Sequence, residues 1–210
     1  MYRVLELVRI EESKDIQEAV ARSEELIQWI DHAINGLDIS SEDRSCLGAG
    51  CIDVALEHQK AIVILVGRSL FAPALALMRL TFEAYIRGVW LLRCASDEQL
   101  KQFQRDKLSC TFNSLIEDLE KLGAYSVKVL SAAKASSWNT LNSFTHTGYL
   151  QAVRRITPEH IAPRYREEEI LGMLGFGDAI SIMCTIEIAG MAGKEQLAQA
   201  ALEKARQVAK

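Results

Sequence analysis

A chain of 210 residues has the length of one domain and can bury a core without disulfide or metal staples. Its 49% hydrophobic and 25% charged content argues against disorder and against a membrane-embedded bundle. The formal net charge of −4 argues against a broadly basic nucleic-acid surface and leaves a local basic cleft as the route to such a partner.

The N-terminal run MYRVLELVRIEESKD meets acidic residues before any long apolar stretch and does not read as a signal peptide. The longest apolar stretch, Ala61 to Met78, is interrupted by Arg68 and Pro73, so no transmembrane helix and no membrane partner are expected. Cys46, Cys51, Cys94, Cys110 and Cys184 form no C-x-x-C pair and are expected as reduced residues of a cytoplasmic protein.

Apolar residues recur at three- and four-residue spacing almost throughout, which predicts an all-α fold. The expectation is a single helical domain of about seven helices over 1–210, with a core bundle over about 13–150 and a C-terminal helix pair over about 166–209. The first helix is predicted from Ser13, as N-cap, to Asn35, with Gly36 beyond its end and Ile16, Val20, Leu26, Ile27 and Ile30 facing inward. Gly36 to Gly50 is predicted as a loop that includes a helical turn. A second helix follows from about Cys51 to Ser69; its segment 61–66 is apolar on every side and demands burial, and the β-branched run is also compatible with a buried strand.

Phe71-Ala-Pro73 opens a third helix that continues to about Ala95. One or two helices are predicted between Asp97 and Gly123 with Ser96 as cap, and another from about Ser126 to Phe144. Gln151 to Arg164 is the long connection to a last pair, about Glu167 to Ala189 and Gly193 to Val208, and no strand is expected anywhere. Gly172, Gly175, Gly177, Gly190 and Gly193 are expected to serve close helix packing. They do not form a phosphate loop, because LGMLGFGD has neither the G-x-G-x-x-G order nor a Walker lysine.

The third helix carries the candidate site. Arg79, Glu83, Arg87, Trp90 and Arg93 fall within an arc of about 120° on an otherwise apolar helix. Such a stripe either faces water, held by i,i+4 pairs, or lines a pocket in which Glu83 orients two guanidinium groups toward an anionic or phosphate ligand, with Trp90 available for stacking. Trp138, Asn142, His146 and Tyr149 repeat the same spacing on a later helix. The hypothesis is that the two faces meet, forming one pocket of Arg79, Glu83, Arg87, Asn142 and His146. No metal and no cofactor are expected: none of His32, His58, His146 or His160 follows an acidic residue at three-residue spacing, and zinc-ligand and nucleophile motifs are missing.

The run ALALMRLTFEAYIRGVWLL at 74–92, followed by WNTLNSFTHTG at 138–148, resembles uncharacterised bacterial helical proteins and, distantly, the HEPN superfamily. That resemblance implies a helical bundle, often a homodimer, and in many members a metal-independent ribonuclease built on Arg-x(4–6)-His. His146 has no arginine at that spacing, whereas Arg154 or Arg155 with His160 fits it formally. Two functions follow. One is a binding or regulatory module for an anionic or nucleotide-like small molecule, with Arg79, Glu83, Arg87, Trp90 and Asn142 as ligand-binding residues. The other is RNA cleavage with His146 as general acid or base.

Overall fold

Helical periodicity is realised as nine α-helices among the described residues, and the chain is all-α. The computed structural model describes residues 3–4, 13–125 and 127–208. The helix start expected at Ser126, and most of the N-terminal segment discussed above, lie outside the described residues.

The first helix, α1 (Lys14–Ile34), starts where Ser13 accepts the Ile16 N–H and ends before Gly36, whose φ of +73° suits a residue without Cβ. Ile16, Leu26 and Ile30 are buried as expected, and Val20 and Ile27 are half-buried at the edge of the core. The loop that follows is shorter than expected, because α2 (Asp43–Val66) already begins at Asp43 and runs through Gly48 and Gly50. Gly48 is a packing residue. A Cβ there would lie 3.1 Å from the Gly88 carbonyl oxygen on the next helix, and a Cβ on Gly88 would lie 2.8 Å from the Gly48 carbonyl oxygen. The two glycines let the helix backbones approach closely. In the segment 61–66, Ile62, Val63 and Val66 are buried, but Ile64 is 63% exposed, so the expectation of burial on every side is corrected.

The central helix, α3 (Phe71–Arg93), carries Pro73 in its first turn, where no amide hydrogen is needed. Its C-terminal carbonyls are capped from α2: Arg44 donates to the Leu91 and Ala95 carbonyl oxygens at 3.0 and 2.7 Å. Two short helices follow, α4 (Asp97–Gln104), opened by a Ser96/Gln99 capping box, and α5 (Phe112–Leu119), capped by Thr111. A 3₁₀ turn at Gly123–Tyr125 leads to α6 (Val129–Thr145). The N-terminus of α6 has no side-chain cap of its own, and Glu120 supplies one by accepting from Ser131 N–H at 2.7 Å and from Ser131 Oγ at 2.5 Å.

A helix not expected from the pattern, α7 (Tyr149–Val153), opens the long connection and docks on α3 where Gln151 Nε2 donates to the Ala72 carbonyl oxygen. The expectation of no strand is also corrected. Arg3–Val4 (β1) pairs in parallel with His160–Ile161 (β2), two residues each, beside a turn closed by Thr157 and His160. The last helices are α8 (Glu167–Met191) and α9 (Glu195–Val208).

The core forms around α3, which packs against α2, α5, α6 and α8. Its N-terminal half meets Ile16, Val66, Leu141 and Leu174, and its C-terminal half meets Ile30, Ile52, Leu115 and Ile182. By length and composition α8 could cross a membrane, but 56% of its apolar window is buried by the other helices. Its inner face also carries polar groups. Asp178 accepts from Ser23 Oγ at 2.7 Å and from Gln59 Nε2 at 2.8 Å, while burial pushes its carboxyl pKa up against those bonds. Of the glycines assigned to packing, only Gly177 fits, because a Cβ there would collide with the Gln59 amide. Gly172, Gly175 and Gly190 face open space, and Gly193 supplies a turn at φ +66°.

Candidate functional site

Arg79 and Glu83 stand one turn apart on α3, as the i,i+4 spacing requires, and Arg79 Nε donates to Glu83 Oε1 at 2.7 Å. On α6, Asn142 and His146 repeat that spacing, and the pairing of α3 with α6 brings the two faces together. Arg79 Nη1 donates to Asn142 Oδ1 at 2.5 Å and lies 2.7 Å from His146 Nε2. A guanidinium has donors only, so a hydrogen bond across that contact has Nε2 as its acceptor. The Arg79 guanidinium also lies over the Trp138 indole, 4.6 Å from its centroid. Arg79 and Glu83 retain side-chain exposures of 20% and 22%, and His146 is exposed.

Local structure fixes His146 at the rim. It is the C-cap of α6, its N–H donating to the Asn142 carbonyl oxygen at 3.0 Å. Thr147 turns the chain at φ +52°, and Gly148 passes so close to Ser143 that a Cβ would lie 2.7 Å from its Oγ. Thr145 Oγ1 donates to the Ala76 carbonyl oxygen, clamping this end of α6 to α3. The helix therefore ends before Tyr149, which lies on α7, 80% exposed, outside the face it was expected to share.

The stripe on α3 divides into three environments. Arg79 and Glu83 belong to the cluster with α6. Arg87 lines a groove between α2 and α3 that does not include His146, and makes no hydrogen bond or ion pair among the described residues. Trp90 is no ligand platform, since it is 1% exposed and its indole N–H donates to Asp118 on α5 at 3.1 Å. Lys121 and that indole hold the Asp118 carboxyl below its usual value. The helical wheel placed Trp90 at the correct angle, but α5 covers that turn.

Arg93 belongs to a separate network. Its Nε and Nη2 both donate to Glu187 Oε2, at 3.0 and 2.5 Å, while Tyr125 Oη donates to Glu187 Oε1 at 2.5 Å and lies 3.0 Å from Tyr85 Oη. Burial pushes both phenols well above their ordinary value, with the Glu187 charge adding to the effect. For Arg93 burial opposes the charge, but the Glu187 bond and charge outweigh it and raise its pKa. Glu187 escaped the sequence reading; its one signal is a carboxylate alone in an apolar helical pattern. Trp138 lies on the face expected from its spacing with Asn142 and His146, whereas Lys134, whose Nζ lies 5.0 Å from the same indole centroid, was outside the expected set.

The arginines that formally matched the Arg-x(4–6)-His spacing have other partners. Arg154 Nε donates to Glu169 at 2.8 Å, and Arg155 bonds Tyr165. Burial works against the Glu169 charge, but Arg154 and Arg166 outweigh it and hold its pKa at about 2. Among the described residues no group of three or more His, Cys, Asp or Glu side chains is placed to hold a metal ion.

A family model described as a family of unknown function, DUF6988, matches residues 52–210, a span that contains every residue of the α3–α6 cluster. No curated protein and no solved structure matches the chain.

Proposed function

The chain belongs to the DUF6988 family, a family of unknown function, and from that premise we propose that it is a binding module for an anionic ligand at the Arg79 cluster. One observation carries this reading: Arg79 is oriented from three sides, by Glu83, Asn142 and His146, and braced on Trp138. Its Nη2 makes no hydrogen bond among the described residues. A guanidinium held in this way loses little freedom on meeting a phosphate or carboxylate, so its donors are prepaid in geometry. Lys134 near the same indole and the exposed His146 ring add donors at the rim. The test is thermal stabilisation by inorganic phosphate and by a nucleoside monophosphate. Wild type is expected to gain stability, and Arg79→Lys and His146→Ala to lose that gain. A wild type indifferent to both ligands overturns the reading.

A second reading is favoured by the 2.7 Å contact between Arg79 and His146. In a HEPN-like, metal-independent ribonuclease His146 would move the proton of a ribose 2′-hydroxyl while Arg79 stabilises charge on the phosphorus oxygens. The expected outcome is cleavage of single-stranded RNA in a chelator, lost in His146→Ala with the fold retained. Absence of cleavage by wild type removes this second reading and leaves the first standing.

A further inference from the structure

We propose that the groove between α2 and α3 is a second binding site, taking a monocarboxylate with an apolar body whose carboxylate meets Arg87. Three arginines lie on this face of α3, and two have carboxylates bonded to them, Arg79 with Glu83 at 2.7 Å and Arg93 with Glu187 at 2.5 Å. Arg87 has none among the described residues. Its neighbour one turn back, Glu83, is the ordinary i,i+4 partner, but that carboxylate is bonded to Arg79 instead. Arg87 is half-buried and lines a groove of about 500 Å³ with no carboxylate bonded to it among the described residues.

The other walls say what kind of anion fits. Leu47, Val54, Leu80, Ala84 and Phe103 line the groove, with Val54 and Leu80 42% and 40% exposed. His58 and Cys51 also line it and add no counter-charge: burial lowers the His58 pKa toward the neutral ring and raises that of the Cys51 thiol. The groove therefore offers one fork of donors beside an apolar wall. A guanidinium matches a carboxylate in bidentate geometry, and the apolar wall rewards a hydrocarbon body. Phosphate has no hydrocarbon body for the apolar wall to hold, which separates this site from the Arg79 cluster. A volume of this order lies within the range of small-molecule sites.

The test is calorimetric titration of the full chain with octanoate, acetate, octanol and inorganic phosphate. Octanoate is expected to bind at least about tenfold more tightly than acetate, which lacks the body, and than octanol, which lacks the charge. Arg87→Gln is expected to weaken octanoate by about tenfold or more. Val54→Asp, at an exposed position where refolding problems are not expected, is expected to weaken it as well. Octanol binding as tightly as octanoate, octanoate binding unchanged in Arg87→Gln, or no octanoate binding by wild type would each overturn the proposal. A wild type that responds to phosphate but not to octanoate overturns this inference and spares the Arg79 reading; a response to octanoate alone does the reverse.

Discussion

Arg79 and Arg93 project from the same face of one helix, and each donates to a carboxylate at hydrogen-bond distance, yet the two pairs are built differently. Arg79 finds Glu83 one turn away on its own helix, and both side chains keep about a fifth of their surface in water. Arg93 finds Glu187 on α8, 94 residues along the chain, where the carboxylate is 6% exposed and also accepts from Tyr125. A pair near water can separate and be rehydrated, so it contributes little to stability and is free to serve a ligand. A carboxylate sealed among apolar side chains cannot be rehydrated, so its partners are required by the fold.

That contrast is open to direct challenge. Arg93→Ala leaves Glu187 buried without its cation and is expected to destabilise by about 3 kcal/mol, the low end for a broken buried pair because Arg93 itself reaches solvent. The measurement is the denaturant midpoint, and a loss no larger than that of Arg79→Ala would erase the distinction. Arg79→Ala is expected to lose about 1.5 kcal/mol, chiefly from the Asn142 bond and the Trp138 contact, together with the phosphate response. Tyr125→Phe removes one donor from Glu187 and is expected to destabilise by about 1 kcal/mol. Glu83→Gln is expected to shift the midpoint by less than about 0.5 kcal/mol, as suits a pair near water.

The Arg154–Glu169 pair lies between these extremes and can be read by pH. The Glu169 pKa falls from 4.5 to about 2 on folding, so the pair contributes stability above the unfolded value, and that contribution is lost as pH falls toward about 2. The stability difference between wild type and Glu169→Gln should therefore shrink across this window. A difference that stays constant with pH would show that the charge of Glu169 is not what stabilises the link between the connection and α8.

Much of the local architecture was legible in the residues themselves. Ser13 and Gly36 bound α1, Pro73 opens α3, and Ser96 caps α4, because caps and φ preferences act within a turn of the chain. The Arg79–Glu83 and Asn142–His146 pairs followed from helical spacing, and the idea that their faces meet agrees with the observed contacts for Arg79. Arg87 was assigned to that pocket on angle alone, but the Glu83 carboxylate is bonded to Arg79, and Arg87 lines a groove toward α2. Trp90 shared the angle as well, and Asp118 on α5 took it into the core. A helical wheel carries direction but no information about which neighbour covers each turn.

Glycine was the other source of error, for the same reason. Gly48 looked like loop and is a helix contact with Gly88; Gly172 and Gly175 looked like helix contacts and face open space. The residue type is identical, and only the neighbouring backbone distinguishes the cases.

The all-helical character, the position of most caps and the polar stripe on α3 are properties of the sequence alone, because periodicity and capping act over a few residues. Which stripe residue meets α6, which faces a groove and which is tied to α8 was decided by tertiary packing. The partners Asn142, His146 and Glu187 are distant in the chain, and only the docking of helices onto α3 gives each arginine its surroundings.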